Sequence, residues 1–246
     1  MRAATLPTER GFTIMELMIA TAIFLVICGA MFGLLQLSQQ KYSSETQISG
    51  AFQETRLAID QIVRDFNVSG YPSQSIFSKL PSDAAQYSTG PVAWSPSYPG
   101  SPCVLAVPPV GAPCTTPGDF DLILETDLGN GVSWIRYQLT GTTLYRAVVP
   151  KTAGGDPATV TSDPTVIVPF LTNVMNSASA QPIFKFTCDT PAGPQPCPAA
   201  GNYGKSNYIR DVDIALIVMT RQPDLQTGMP KLVELQGRGH RVNPTN

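Results

Sequence analysis

One carboxylate stands alone in an apolar stretch. Residues 12–40 contain a single charged side chain, Glu16, and residues 17–35 form an uncharged, mostly apolar run 19 residues long. An acidic residue at the centre of a membrane-spanning helix costs about 2.5–3.5 kcal/mol, and less near the interface. Two arrangements relieve that cost: the carboxylate reaches the headgroups from one turn inside, or a cation meets it in the low-dielectric interior. Gly11 and Phe12 lie just before it, where a short segment carrying Arg2 and Arg10 gives way to the apolar run. Chemistry at that junction would be processing chemistry, since the run continues without an A-x-A-like cleavage site of the ordinary secretory kind behind it.

The cysteines offer a second chemistry. Cys28 lies inside the apolar run, and the other four form two close pairs, Cys103/Cys114 and Cys188/Cys197. Four cysteines allow three pairings. We read the local one, because each partner is near and the loop between is short. Two structural disulfides imply an oxidising compartment. There is no CxxC spacing and the one histidine, His240, is remote in sequence, so a zinc site finds no support.

Three further constellations could carry chemistry. Asp119, Asp121, Glu125 and Asp127 form an acidic cluster that invites calcium. Alternate residues of a strand face opposite ways, and the spaced ligands of an EF-hand are missing; hairpin and surface charge is the plainer account. No cofactor is expected, with calcium the one ion considered, and no metal ligands are assigned. His240 is the only imidazole base, no G-x-S-x-G elbow accompanies the serines, and Gly154-Gly155 lacks the lysine of a phosphate loop. No catalytic residues are assigned and the chain is not read as an enzyme. The formal net charge of −2 argues against a nucleic-acid partner, which would call for a basic stripe.

The elements that would position these residues divide the chain in two. Of 23 prolines, 22 fall after residue 70, and charged residues make up only 14% of the whole. Residues 12–68 read as one helix, roughly 80 Å long at 1.5 Å per residue. Its first half is long enough to cross a hydrocarbon core. Arg2 and Arg10 ahead of the run place residues 1–11 in the cytoplasm and the C-terminus outside. Beyond the run, Ile48, Phe52, Ile59, Ile62 and Phe66 repeat at helical spacing with Thr55 filling the stripe, and Arg56/Asp60 and Asp60/Arg64 are i,i+4 pairs. Asn67-Val68-Ser69-Gly70 reads as the stop. Residues 69–246 read as a β-rich exported head. Within it, 71–118 is a proline-rich connecting loop clipped by Cys103 and Cys114, and strands are expected over 120–126, 132–139, 143–149, 183–188, 208–220 and 231–235.

Gly11-Phe12-Thr13-Ile14-Met15-Glu16-Leu17, behind a short basic leader and ahead of an apolar helix, resembles the processing motif of type IV prepilins. The resemblance implies an α+β, lollipop-shaped pilin fold, with a long N-terminal helix packed on an antiparallel sheet. It implies that a prepilin peptidase cuts between Gly11 and Phe12 and methylates the new amine of Phe12, and that Glu16 pairs with the N-terminal amine of a neighbouring pilin or pseudopilin subunit. The chain would sit in the inner membrane as a single-pass protein, head in the periplasm, before entering a pilus or pseudopilus. Major pilins often carry a helix-kinking proline in the apolar segment; this chain has Gly29 and Gly33 there instead. Trp134-Ile-Arg-Tyr-Gln-Leu139 followed by Thr143-Leu-Tyr-Arg146 resembles the hairpin of W-type (PilW-like) minor pilins and of J-type type II secretion pseudopilins, although the C-terminus lacks the basic ending of the closest relatives. Three functions remain open at this level: a minor pilin that helps to initiate or cap a type IV pilus, a pseudopilin of a type II secretion system, or a membrane-anchored exported enzyme or ligand-binding domain.

Overall fold

A single helix carries both halves of the N-terminal region. The computed structural model describes residues 11–77, 79–81, 83–105, 113–198, 205–224 and 227–242; most of the expected leader, residues 1–10, lies outside them. Helix α1 spans Ile14–Val68 without a break. No proline interrupts it, and the stop falls where expected, with Ser69 as C-cap and Gly70 at φ 84°. The ion pair Arg56–Asp60 forms at 3.9 Å on the solvent side.

The head contains two antiparallel sheets where one was expected. Strands β1 (Val92–Ala93), β2 (Asp121–Asp127), β3 (Val132–Thr140), β4 (Thr143–Pro150) and β5 (Ile167–Leu171) pair in that order. A one-turn helix α2 (Pro157–Val160) lies between β4 and β5. The second sheet is built from β6 (Phe184–Cys188), β7 (Gln195–Pro196), β8 (Ile209–Met219) and β9 (Leu232–His240), in the order β7-β6-β8-β9. The β2–β3 turn is set by Asp127, whose Oδ1 accepts from Gly129 N at 2.7 Å and Gly131 N at 3.0 Å. Both glycines take positive φ, 100° and 96°, which only glycine adopts freely.

Both sheets and the last third of α1 share one core. The helix contributes Thr55, Ala58, Ile59, Ile62 and Phe66, all buried, against Leu122, Ile135 and Leu144 of the first sheet and Val212, Ile214 and Leu216 of the second. The close approach of α1 to β9 depends on two glycines. A Cβ on Gly237 would collide with Ile59, and one on Gly239 would lie 2.8 Å from Phe66 Cδ1. The stripe does not run as far down as expected: Ile48 is half-buried but Phe52 is 42% exposed. At that level the helix meets the head through Gln47, Ala51 and Glu54 instead, so Phe52 points away.

The segment 71–118 is not a mere connector where it is described. Tyr87, Val92, Ala93 and Trp94 are almost wholly buried, and β1 pairs with Ile123 and Leu124. Together with Tyr98 and α2 it covers the outer face of the first sheet, enclosing a second small core of Ala93, Ile123 and Trp134. That is why β2 is buried on both faces.

Candidate functional site

The residues singled out for processing sit at the free end of α1. Phe12 is 89% exposed, and nothing approaches within 4 Å of a Cβ built on Gly11. Thr13 is the N-cap, in extended conformation, and it forms a reciprocal capping box with Glu16. Thr13 Oγ1 accepts from Glu16 N at 3.3 Å, while Glu16 Oε2 accepts from Thr13 N and from Thr13 Oγ1, each at 3.0 Å. The Glu16 carboxylate is therefore satisfied locally and lies at the positive end of the helix dipole, where a negative charge is favoured. This lowers the cost of the lone acid before any neighbour is considered. The Thr-x-x-Glu spacing before an apolar run is the local sequence signal of this capping box.

From this end the apolar surface is continuous. Between residues 11 and 39 every side chain is exposed except Cys28, which is half-buried and unpaired. Open space surrounds Gly29 and Gly33. Among the described residues α1 is the one helix long and apolar enough to cross a membrane. A surface of this size on a soluble monomer would be exceptional and marks a site of membrane or protein contact.

The helix is locked to the head by a polar network within the core. Asp65, buried, accepts at Oδ2 from Tyr137 Oη at 2.6 Å and from Arg146 Nη2 at 2.9 Å, and at Oδ1 from Gln61 Nε2 at 2.7 Å. Burial, then the adjacent Asp65 charge, pushes the Tyr137 hydroxyl well above its ordinary pKa, so it remains a donor. Trp134, Tyr137 and Arg146 are residues of the hairpin that resembles minor pilins and pseudopilins, and here they hold the helix and the outer cover rather than presenting a surface.

The acidic cluster disperses. Asp121 makes a two-point pair with Arg136, at 2.9 and 2.5 Å, and Asp127 sets its turn. Glu125 is wholly buried and pairs with wholly buried Lys151 at 2.7 Å. Its carboxylate also takes hydrogen bonds from Tyr98 Oη (2.5 Å), Thr89 N (2.8 Å) and Trp134 Nε1 (3.2 Å). Among the described residues no group of three or more His, Cys, Asp or Glu side chains is placed to hold a metal ion. The structure bonds Cys103 to Cys114 and Cys188 to Cys197, with Cα–Cα separations of 5.1 and 5.3 Å. The second bond ties β6 to the end of β7. His240 Nδ1 pairs with Asp211 Oδ1, whose other oxygen meets Arg238 at 2.7 Å. Burial raises the pKa of Asp211, but the hydrogen bonds from His240 and Arg238 outweigh it and leave the carboxyl below its usual range. The histidine thus belongs to an ion-pair cluster at the end of the second sheet.

Residues 6–32 match the family model described as the prokaryotic N-terminal methylation motif. No curated protein and no solved structure matches the chain. The matched segment covers the Gly11–Phe12 junction, the capping box and most of the exposed apolar run, and these lead into a helix that ends in an antiparallel β head. It marks the chain as a type IV prepilin-like protein.

Proposed function

We propose that the chain is a minor pilin: a structural subunit that enters a type IV pilus and helps to initiate or cap its assembly. Residues 1–11 are the cytoplasmic leader, 12–68 the membrane span and stalk, and 69–246 the exported head. Prepilin peptidase hydrolyses the Gly11–Phe12 bond on the cytoplasmic face and methylates the freed amine of Phe12. The protein waits in the inner membrane with its head in the periplasm, and the apolar half of α1 then passes from lipid into a bundle of like helices.

The observation that carries this reading is the end of α1. The exposed Gly11–Phe12 junction lies one residue outside the N-cap, so a peptidase reaches it without unwinding the helix. Once cut, Phe12 bears a cation at the tip of an apolar rod. A neighbour's Phe12 amine approaching Glu16 meets a carboxylate already held at Oε2 by Thr13. Removing one partner of a buried pair of this kind costs about 3–5 kcal/mol.

Intact mass of the purified protein tests the proposal. The mature chain is expected to lack residues 1–11 and to carry one added methyl on Phe12. A bulky residue at position 11 should leave the leader attached. Glu16→Leu should be processed, fold normally in its head and fail to enter filaments. Material that still begins at Met1, together with a Glu16→Leu chain that assembles normally, would reduce the protein to a tethered exported domain. A type II secretion pseudopilin uses the same end of the helix; it is distinguished by deletion, which would abolish export of folded substrates and leave surface filaments intact.

A further inference from the structure

A groove runs along one flank of α1 at the level of the head. Three recesses follow one another up the helix and share lining residues: the lowest lies against Tyr42 to Gln47, the next against Gln47 to Glu54, and the third against Glu54 to Gln61. The head supplies the far wall, from Pro169 and Phe170 at the edge of the first sheet to Met219 and Arg221 at the lower end of β8. On the helix side the lining positions Ser43, Gln47, Gly50, Glu54, Leu57 and Gln61 are spaced alternately four and three apart. That spacing makes a straight seam on which a second, nearly parallel helix packs.

The lining suits an uncharged helix. At mid-length a Cβ on Gly50 would meet nothing within 4 Å, and small residues let helices approach closely. Higher up, Leu57 is 70% exposed and shares the recess with half-buried Phe170. Among the described residues the charges that line the groove are Glu54 and Arg221, and these pair with each other at 2.9 Å. From Tyr42 to Gln61 the groove is about 28 Å long, and the uncharged run over 17–35 is about 27 Å. Continued downward at the same spacing, the seam passes through Gln40 and Gln36 to Gly33 and Gly29, around which space is open. The groove is thus continuous with the exposed apolar surface of the run.

We propose that this groove receives the uncharged helical run of a neighbouring processed subunit, a helix with the chemistry of residues 17–35, lying parallel to the stalk. The inference rests on the reading of the chain as a filament subunit and names the surface that receives the neighbour. With the two lengths aligned, the neighbour is set about 38 Å further out along the common axis, so the assembled chain lies beneath another subunit. Leu57 and Phe170 return to the neighbour's run part of the burial it loses on leaving lipid. The contact uses the flank of the stalk that folding of the head leaves open.

The test is photocrosslinking in filaments sheared from cells that make the full chain. The photoreactive residue p-benzoylphenylalanine replaces Leu57 in one variant and Phe52 in another. Both side chains are exposed, at 70% and 42%, and both lie within the length of the groove, but Phe52 is on the other flank. The attached peptide is identified by mass spectrometry. Position 57 should couple severalfold more than position 52 to the uncharged run of a processed subunit. The coupled site should lie about 15 residues past that subunit's glutamate, the counterpart of Met31 here. Equal coupling at 57 and 52, or coupling of position 57 to heads alone or to nothing, overturns the groove. A chain absent from the filaments defeats the filament reading and the groove with it. A processed chain present in filaments but without the expected coupling defeats the groove alone.

Discussion

The two ends of α1 are one helix in two physical situations. At its C-terminal end Ile62 and Phe66 are fully buried by the head; at its N-terminal end Phe24 and Leu25 are 64% and 69% exposed. Burial of each large apolar side chain is worth about 1.5–3 kcal/mol. In the isolated chain that gain is realised only at the head end. The other end must obtain it from lipid or from neighbouring helices. Folding and assembly therefore draw on separate stretches of the same helix, and substitutions in one should leave the other untouched.

Phe66→Ala sets the upper end of this contrast. It should destabilise the head by about 3–5 kcal/mol, read by chemical denaturation of the full chain in detergent, because the cavity opens between α1, β9 and Val212. Phe24→Ala should leave head stability unchanged within error and act only on filament entry. Equal losses from both would mean that the helix and head do not divide the work in this way.

A second comparison lies inside the head, between its apolar core and the charged pair beneath its outer cover. Lys151→Met removes the cation from wholly buried Glu125. Losing one partner of such a pair costs about 3–5 kcal/mol. The effect should lie near 3 kcal/mol, because Tyr98, Thr89 N and Trp134 still donate to the carboxylate. Hydrogen exchange should show where the loss falls. Amides around Val92 and Ala93 should open first while β8 stays protected; uniform loss across both sheets would join the cover to the main core as one cooperative unit.

The parts of this molecule that repeat or stand alone were legible in its sequence. The apolar run, the lone Glu16 and the strands flanking Asp127-Leu-Gly-Asn-Gly131 follow from local pattern. What escaped depends on distant partners. β5 hides because Pro169 sits within it, which suits an edge strand but weakens the sequence signal. β9 runs on to His240, beyond the 231–235 expected, through Gly237 and Gly239, strand residues kept small by Ile59 and Phe66. Buried Glu125 looked like surface charge because its cation lies 26 positions later, in a residue that nothing local marks as buried. Thr13 is the exception. Its role is local and readable, and it was eclipsed by the more conspicuous acid three residues on.

Thr13 gives the smallest effect and the finest distinction. Thr13→Ala removes an N-cap, worth about 1 kcal/mol, and frees the Glu16 side chain from its own helix. If the capping box orients the carboxylate for a neighbour's amine, the variant should be cut and methylated normally but enter filaments severalfold less efficiently. Hydrogen exchange in micelles should also quicken at Met15, Glu16 and Leu17. Thr13→Ser keeps the hydroxyl and should restore both readouts. The span beyond the first turn should be unaffected, since lipid and not the cap buries it. An alanine variant that frays its first turn yet assembles like the parent would show that Glu16 finds its partner without prior orientation, and the division of labour along α1 would then begin one turn further in.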